Sequence, residues 1–504
     1  MSGENVTRPI KTIRSNLRPI MLRVTHPTGT TADFAPLVVD LDGTLLATDT
    51  LWELIVSFLT KRPFHIFQLI VWFLEGKAKF KTRLASATTL DPATLPYRVE
   101  CLDWLREQKR LGRRLILATG ADEKLASAVA GHLGIFDSVV ASDGVRNATG
   151  PAKADLLNLL LHCSYDYAGN SMVDLEIWRR CGRAIVVAPD SGVIAALRQH
   201  NIEVLRRFDA PRATLGVWAR ALRIHQWMKN VLVFTPVLTS HRIFDWPVVA
   251  RSAIAFLAFS LIASSAYLLN DLLDLPADRK HPTKRLRPLA AGLISIPAAI
   301  AAVGVLLLTA AGLSILLPAW SALLLLGYWC ATLTYSACVK KLLIADVVAL
   351  ALFYTARVLY GGLAAGIEIS VWTAAFSAFT FFALAATKRI NDLAKAPLSG
   401  AESMGHRAYQ SADLQFLVPQ ATATANIAIL VLILYLNSPQ VLALYKRPEI
   451  LWGMCPALLY WFNRIIALAN RGSLPDDPIL FALKDRATYF VLASMALVAI
   501  AATV

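Results

Sequence analysis

The chain has 504 residues, 56% of them hydrophobic, with a mean hydropathy of +0.52 and a net charge of +15. It is too apolar for an ordinary soluble enzyme and too long for one domain, which predicts a multi-pass membrane protein with a soluble part. The cations gather in loops, which fits phosphate-bearing ligands or an anionic lipid surface better than nucleic acid, and the six cysteines have neither CxxC nor His spacing for zinc.

Residues 1–33 form a basic tail with Arg8, Lys11, Arg14, Arg18 and Arg23 and no continuous apolar core, so no cleavable signal is expected and the N-terminus is expected in the cytoplasm. From 34 to 205, the apolar runs FAPLVVDLDG, RRLILATG, DSVVASDG and RAIVVAPDSG alternate with helical stretches. That alternation predicts an α/β Rossmann-like domain with a parallel sheet. A helical cap is expected at about 50–110. Within it, Leu51 to Leu74 is unusually apolar but is interrupted by Lys61, Arg62 and Pro63, and each half is too short to span a bilayer. Two readings stand for it, helices lying on the membrane surface or a buried helical pair.

The basic, Trp-bearing stretch 206–227 reads as an interfacial linker. Residues 228–504 read as an all-α membrane domain of nine helices, around 228–245, 249–269, 296–316, 319–336, 344–366, 370–387, 419–437, 451–469 and 487–504. With a cytoplasmic N-terminus, nine crossings put DRKHPTKRLR, VKK, TKRINDLAK and NRIIALANRG with LKDR on the cytoplasmic side, where cations belong.

In VVDLDGT, Asp40 and Asp42 stand two apart at a strand end, so both carboxylates face the crevice where parallel sheets bind ligands. One can attack phosphorus while the other moves a proton. Thr119 and Lys153 follow as holders of phosphoryl oxygens and Asp174 as a Mg²⁺ ligand. These pieces in this order resemble the haloacid dehalogenase superfamily over residues 34–200. The resemblance implies Asp40 as nucleophile, Asp42 as acid/base, Thr119 and Lys153 as phosphate binders and Mg²⁺ as cofactor. Asn170 stands where that family carries a metal-binding Asp, so an active phosphatase and a silent binding domain are both open.

In NDLLDLPADRKHPTKRLRP, Asn270, Asp274 and Asp278 recur every fourth residue with Asp271 beside them, and cations follow at once. Hard oxygen ligands on one helical stripe point to Mg²⁺ carrying a diphosphate. The bland alternative is a loop whose acids pair with Arg279, Lys280, Lys284, Arg285 and Arg287. The motif resembles the UbiA superfamily of intramembrane transferases, whose second motif usually adds another carboxylate pair. Here that motif is ALAATKRINDL, with Lys388, Arg389 and only Asp392.

This departure resembles the decaprenyl-phosphate phosphoribosyltransferase branch. Further matching residues are Lys229 and Asn230, Tyr335 and Lys340, Asp346 and Arg357, and Asp476, Asp477 and Asp485. The resemblance implies a bacterial inner-membrane enzyme using Mg²⁺, 5-phosphoribosyl diphosphate and a polyprenyl phosphate. It also implies substrate contacts from Lys229, Asn230, His281, Lys284, Arg285, Arg287, Tyr335, Lys340, Lys388 and Arg389. A prenyltransferase using a prenyl diphosphate and a non-catalytic lipid-binding protein are the alternatives.

Overall fold

The computed structural model describes residues 34–142, 149–211, 213–395, 409–475, 481–482 and 484–503. The basic tail and the acids Asp476 and Asp477 lie outside them. The chain forms two compact units. One takes the described residues up to Leu51 together with Phe67–Ala210, and the other takes Trp52–Ile66 with Pro211 onward.

The first unit is a six-stranded parallel sheet of β1 (Leu37–Val39), β2 (Leu115–Asp122), β3 (Ser138–Ser142), β4 (Asp166–Gly169), β5 (Ala184–Val187) and β6 (Val204–Phe208). Its order is β3-β2-β1-β4-β5-β6. β1 lies between β2 and β4, with Val38 opposite Ile116 on one side and Tyr167 on the other. Runs such as LVV and AIVV are apolar throughout because both faces of a parallel sheet are covered. Val38, Ile116, Tyr167, Trp178 and Val186 form the core on one face. The chain order reverses between β1 and β4, and their carboxyl ends open the crevice that such sheets use for ligands.

Between β1 and β2 run α1 (Thr50–Lys61), α2 (Ile66–Leu74), α3 (Lys77–Ala87) and α4 (Val99–Arg110). An isolated antiparallel bridge, Leu46 to Tyr97, closes the neck of this insertion. α4 follows the neck and packs on the sheet, with Cys101, Leu102 and Leu105 buried and Trp104 meeting Phe208 of β6. Residues 52–66, expected in the cap, group with the second unit instead. There Val56 of α1 shares a core with Leu268, Leu272, Leu275 and Leu289, and the Thr60 hydroxyl donates to Leu273 O at 3.1 Å. Crossover helices α5 (Glu123–Leu133), α6 (Gly150–Leu161), α7 (Leu175–Trp178) and α8 (Val193–Gln199) complete the first unit.

In the second unit, α9 (Leu215–Ala221) occupies the expected linker and buries Val217 and Ala221. Among the described residues, seven helices are long and apolar enough to cross a membrane, where nine were expected. After α10 (Thr235–Thr239), they include α11 (Trp246–Leu273), with α12 (Leu275–Lys280) next, and then α13 (Ile296–Ser314). α14 (Ala319–Ala337) has the length, but Ser321, Thr332, Thr334 and Ser336 dilute its apolarity. α15 (Ala345–Ala365), α16 (Val371–Lys395), α17 (Leu414–Leu436), α18 (Pro439–Leu444), α19 (Met454–Asn470) and α20 (Arg486–Thr503) follow.

The expected first span is not one continuous α-helix. It is a 3-10 stretch, Ile224–Phe234, running into α10. At rises of about 2.0 and 1.5 Å per residue the two together cover about 30 Å, one hydrocarbon thickness. The stretch lies so close to α15 that a Cβ on Gly361 would sit 2.0 Å from Val233 O, so that position requires glycine. It also carries the polar pair Lys229 and Asn230 into the interior, where Asn230 is held by Ser260 and Arg357.

Candidate active sites

The crevice of the first unit is built on the ends of β1, β2 and β4. Asp40 follows β1 directly, and its N–H donates to Ala168 O of β4 at 2.9 Å. Lys153 reaches in from α6, donating to Asp40 Oδ1 at 2.7 Å, to Tyr167 Oη at 2.9 Å and to Ala118 O at 3.2 Å. The Thr44 hydroxyl lies between Asp40 Oδ2, at 3.3 Å, and Asn170 Oδ1, at 3.2 Å. Gly43, at φ +74°, makes the turn directly after Asp42, and a Cβ there would strike the Asn170 amide.

Thr119 is fully buried on β2, its hydroxyl accepting the Ala121 N–H at 3.0 Å. Next to it Lys81 of α3 donates to Gly120 O at 2.7 Å, which places a cation over this end of the sheet. Asp42 Oδ1 accepts the Thr50 N–H at 2.8 Å. Burial pushes Asp40 up to about 6 against the pull of Lys153, and burial together with Asp49 and Asp40 pushes Asp42 up to about 7. Both carboxyls are therefore raised toward neutral pH.

Asp174, expected to ligate metal, is buried and already engaged. Its Oδ1 accepts the Tyr167 hydroxyl at 2.8 Å, and its Oδ2 accepts the Asn170 and Ser171 N–H groups at 3.0 Å each and the Ser171 hydroxyl at 3.2 Å. It closes a capping box and so fixes the loop that carries Asn170.

In the second unit the expected helical stripe is present. The Asp274 N–H bonds to Asn270 O, and the Asp278 N–H to Asp274 O, each at 2.8 Å, so the i to i+4 register runs through the junction of α11 and α12. Pro276 does not break it, because it stands in the first turn of α12, where no intrahelical N–H is needed. Asn270 Nδ2 donates to Asp274 Oδ2 at 3.0 Å, and Lys340 lies 3.4 Å from the same oxygen. Asp278 is buried against Arg287 at 2.5 Å, and Asp271 is shared by Arg287 at 3.1 Å and Arg223 at 2.6 Å.

The cations of the following loop divide. Arg279 turns away to a buried bidentate pair with Glu53, at 2.7 and 2.8 Å, and holds Ala290 O at 3.2 Å. Lys284 and Arg285 are exposed and make no ion pair among the described residues. His281 Nδ1 accepts the N–H groups of Thr283 and Lys284, which shapes the turn.

In the second motif, Arg389 is buried between Asp346, at 2.7 Å, and Asp392, at 3.0 Å, with Tyr409 donating to Asp346 as well. Asn391 is also internal, pairing with the backbone of Leu474 and Pro475. Lys388 is half-buried, and Tyr335 stacks edge-on against Phe353. Arg357 bonds Asn230, Tyr328 and Phe353 O, with its guanidinium 5.1 to 5.4 Å from the ring centres of Phe259, Tyr328 and Tyr354. Asp485 caps α20 and grips Arg464, which holds its carboxyl below the usual carboxylate range.

The structure thus gathers Asn270, Asp274, Asp278, Asp271, Arg287 and Lys340, and encloses Arg389. Sequence reasoning missed Arg223, Glu53 and Tyr409. Arg223 sits in LRIHQWMKN at φ +53° and was within reach of a charge-pairing argument. Nothing in the spacing of Glu53 or Tyr409 announces their partners.

Residues 231–501 match the UbiA prenyltransferase family. The chain belongs to it. The uncharacterized protein y4nM of Sinorhizobium fredii is 34% identical over 92% of this chain and 90% of its own length, so the likeness runs through both units. Nodulation protein NoeC of Azorhizobium caulinodans is 30% identical over 57% of this chain and 94% of its own. The decaprenyl-phosphate phosphoribosyltransferase of Mycolicibacterium smegmatis is 34% identical over 41% of this chain and 67% of its own. Family membership and the apolar helices make this a multi-pass integral membrane transferase.

Proposed function

We propose that the membrane unit transfers 5-phosphoribose from 5-phosphoribosyl diphosphate to a polyprenyl phosphate. The observation that carries this reading is the state of the second motif. Asp346 and Asp392 are both committed to Arg389, so that side offers no carboxylate pair for a second metal diphosphate. One acidic pole, one diphosphate donor and one monophosphate acceptor match that charge distribution. The name of the Mycolicibacterium smegmatis relative supports the same chemistry.

The donor set at Asn270 and Asp274 is hard oxygen on one stripe, with Asp278 next in register, and it fits Mg²⁺, which needs only one or two carboxylates beside water and substrate oxygens. Bound there, Mg²⁺ would neutralise the departing diphosphate. Lys340 beside Asp274, with Lys284 and Arg285 on the loop, would offset the repulsion between two anionic substrates. The acceptor phosphate is an anion at neutral pH, so orientation replaces a general base. Lys229, Asn230, Tyr335, Lys388 and His281 complete the proposed substrate contacts.

For the first unit we propose a haloacid-dehalogenase-like phosphatase that removes the 5-phosphate of the lipid product on the cytoplasmic face. Asp40 would attack phosphorus, and Asp42, still partly protonated near pH 7, would supply the proton. Lys153 and Thr119 would hold the phosphoryl oxygens. A metal here would draw on Asp40, Asp42 and the Asn170 carboxamide oxygen, since Asp174 is spent on the loop.

Purified protein given labelled 5-phosphoribosyl diphosphate, polyprenyl phosphate and Mg²⁺ is expected to yield a labelled lipid. No labelled lipid, with label instead transferred from a prenyl diphosphate, would replace the reading with the prenyl transfer for which the family is named.

A further inference from the structure

Outside the candidate membrane spans, α2, IFQLIVWFL, is a conspicuous exposed apolar run among the described residues. Six of its nine side chains are exposed, among them Phe67 at 76%, Ile70 at 53% and Leu74 at 80%, and only Leu69 is buried. What attaches α2 to its unit lies at its C-terminal end. Phe73 meets Phe80 of α3 edge-on at 5.8 Å, and Glu75 pairs with Arg83 at 2.7 Å. α3 in turn places Lys81 on Gly120 O at the crevice. A soluble domain does not ordinarily leave so contiguous an apolar patch in water.

We propose that α2 is an in-plane membrane helix that docks the phosphatase-like unit on an anionic bilayer surface. At about 1.5 Å per residue, nine residues cover about 14 Å, under half of a hydrocarbon core, so α2 lies along the interface rather than through it. Two features select lipid over a protein partner. Exposed cations flank the apolar run, Lys61 and Arg62 before it and Lys79 after it, as anionic headgroups require. The chain also enters α2 from α1, whose Val56 and Trp52 pack into the core of the unit that carries the membrane spans. For the proposed phosphatase the consequence is access: α2 on lipid and α3 over the crevice bring a membrane-tethered phosphate ester within reach of Asp40. That consequence rests on the phosphatase reading; the docking itself does not.

The test uses the full chain in nanodiscs, with the exposed Cys163, Cys330 and Cys338 replaced. An environment-sensitive label is placed at Phe67→Cys, at Leu74→Cys and, as a control in the same unit, at the exposed Leu159→Cys. Labels at 67 and 74 are expected to be blue-shifted and quenched by spin-labelled lipid at least about twofold more than the label at 159, with stronger quenching in anionic than in zwitterionic discs. Labels as water-exposed as the control overturn the proposal. Labels that are blue-shifted yet unquenched also overturn it, since a second copy or another segment would then cover α2. If the labels behave as expected but phosphate release from the lipid product is absent, docking stands and the phosphatase reading falls.

Discussion

Both units cluster carboxylates at a site, and they hold them in opposite ways. In the α/β crevice Asp40 has one cation, Lys153, and Asp42 makes no ion pair among the described residues, so burial leaves both carboxyls reluctant to ionise. In the membrane unit Asp271, Asp274, Asp278, Asp346 and Asp392 each face an arginine or lysine. The first arrangement suits a site where a proton moves. The second suits a site where fixed positive charge can be traded for a metal or shared with a phosphate, because removing one partner of a buried pair is far costlier than exchanging it.

The sharpest way to break this comparison is to remove one acid from each site and follow both reactions on the same labelled lipid. Asp40→Asn removes the nucleophile and is expected to lower release of the 5-phosphate about 10⁴-fold or more while sugar transfer continues. Asp274→Ala is expected to lower sugar transfer about 100-fold or more and to leave the α/β unit's phosphate release from an exogenous ester intact. Chromatography of the lipid products separates the two outcomes. Unchanged phosphate release by Asp40→Asn would leave the first unit a silent domain.

A smaller effect is expected at the Glu53–Arg279 pair, where the insertion contributes to the membrane unit. Both side chains are buried, so Glu53→Ala strands a guanidinium and is expected to cost about 3 to 5 kcal/mol, while Glu53→Leu with Arg279→Met is expected to be nearly neutral. Thermal melting of the full chain in detergent would compare them. Because Arg279 also holds Ala290 O, the pair braces the loop that carries Lys284 and Arg285. The double variant is therefore expected to melt normally while its apparent KM for the sugar donor rises several-fold, about 1 kcal/mol of binding. An unchanged KM would confine the pair to folding.

Much of this architecture was legible in the residues. Apolar runs bounded by turn residues marked β1, β2, β3 and β5, and the four-residue spacing of Asn270, Asp274 and Asp278 survived the proline because Pro276 stands where helices accept it. Less legible was whatever depends on partners distant in the chain. The stretch 228–245 is apolar enough to read as a span, but its first part belongs to a 3-10 segment, Ile224–Phe234, that lies close against Gly361 and holds Asn230 inward. Arg389 reads as a phosphate-binding cation until Asp346, 43 residues earlier, is seen to enclose it. The edge strand β6, VLRRF, escaped because its side chains are mostly exposed and carry no apolar pattern. Residues 52–66 read as cap because they follow the DxD motif, yet the burial of Val56 against Leu268 and Leu272 is fixed by tertiary packing.

The smallest effect is the one that tells a working crevice from a silent one. Asp40 and Asp42 rise from the ordinary 3.8 to about 6 and about 7, so between pH 4 and 7 the native chain keeps protons that the unfolded chain has lost. Stability is therefore expected to fall as pH rises through that window and to level off above it. In the absence of divalent metal the melting temperature of the full chain should drop by several degrees from pH 5 to pH 8, at about 2 to 4 °C per kcal/mol. Mg²⁺ binds only the ionised carboxylates, so a working site should recover most of the loss at pH 8 and show little response at pH 5. Asp274→Ala removes the main metal donor of the membrane unit, so recovery that persists in that variant belongs to the crevice. If Asn170 and the capped Asp174 have left the crevice unable to hold Mg²⁺, the drop will stay whatever the metal concentration. Asp40→Asn and Asp42→Asn should each flatten the slope, since each removes one of the two carboxyls that burial raises.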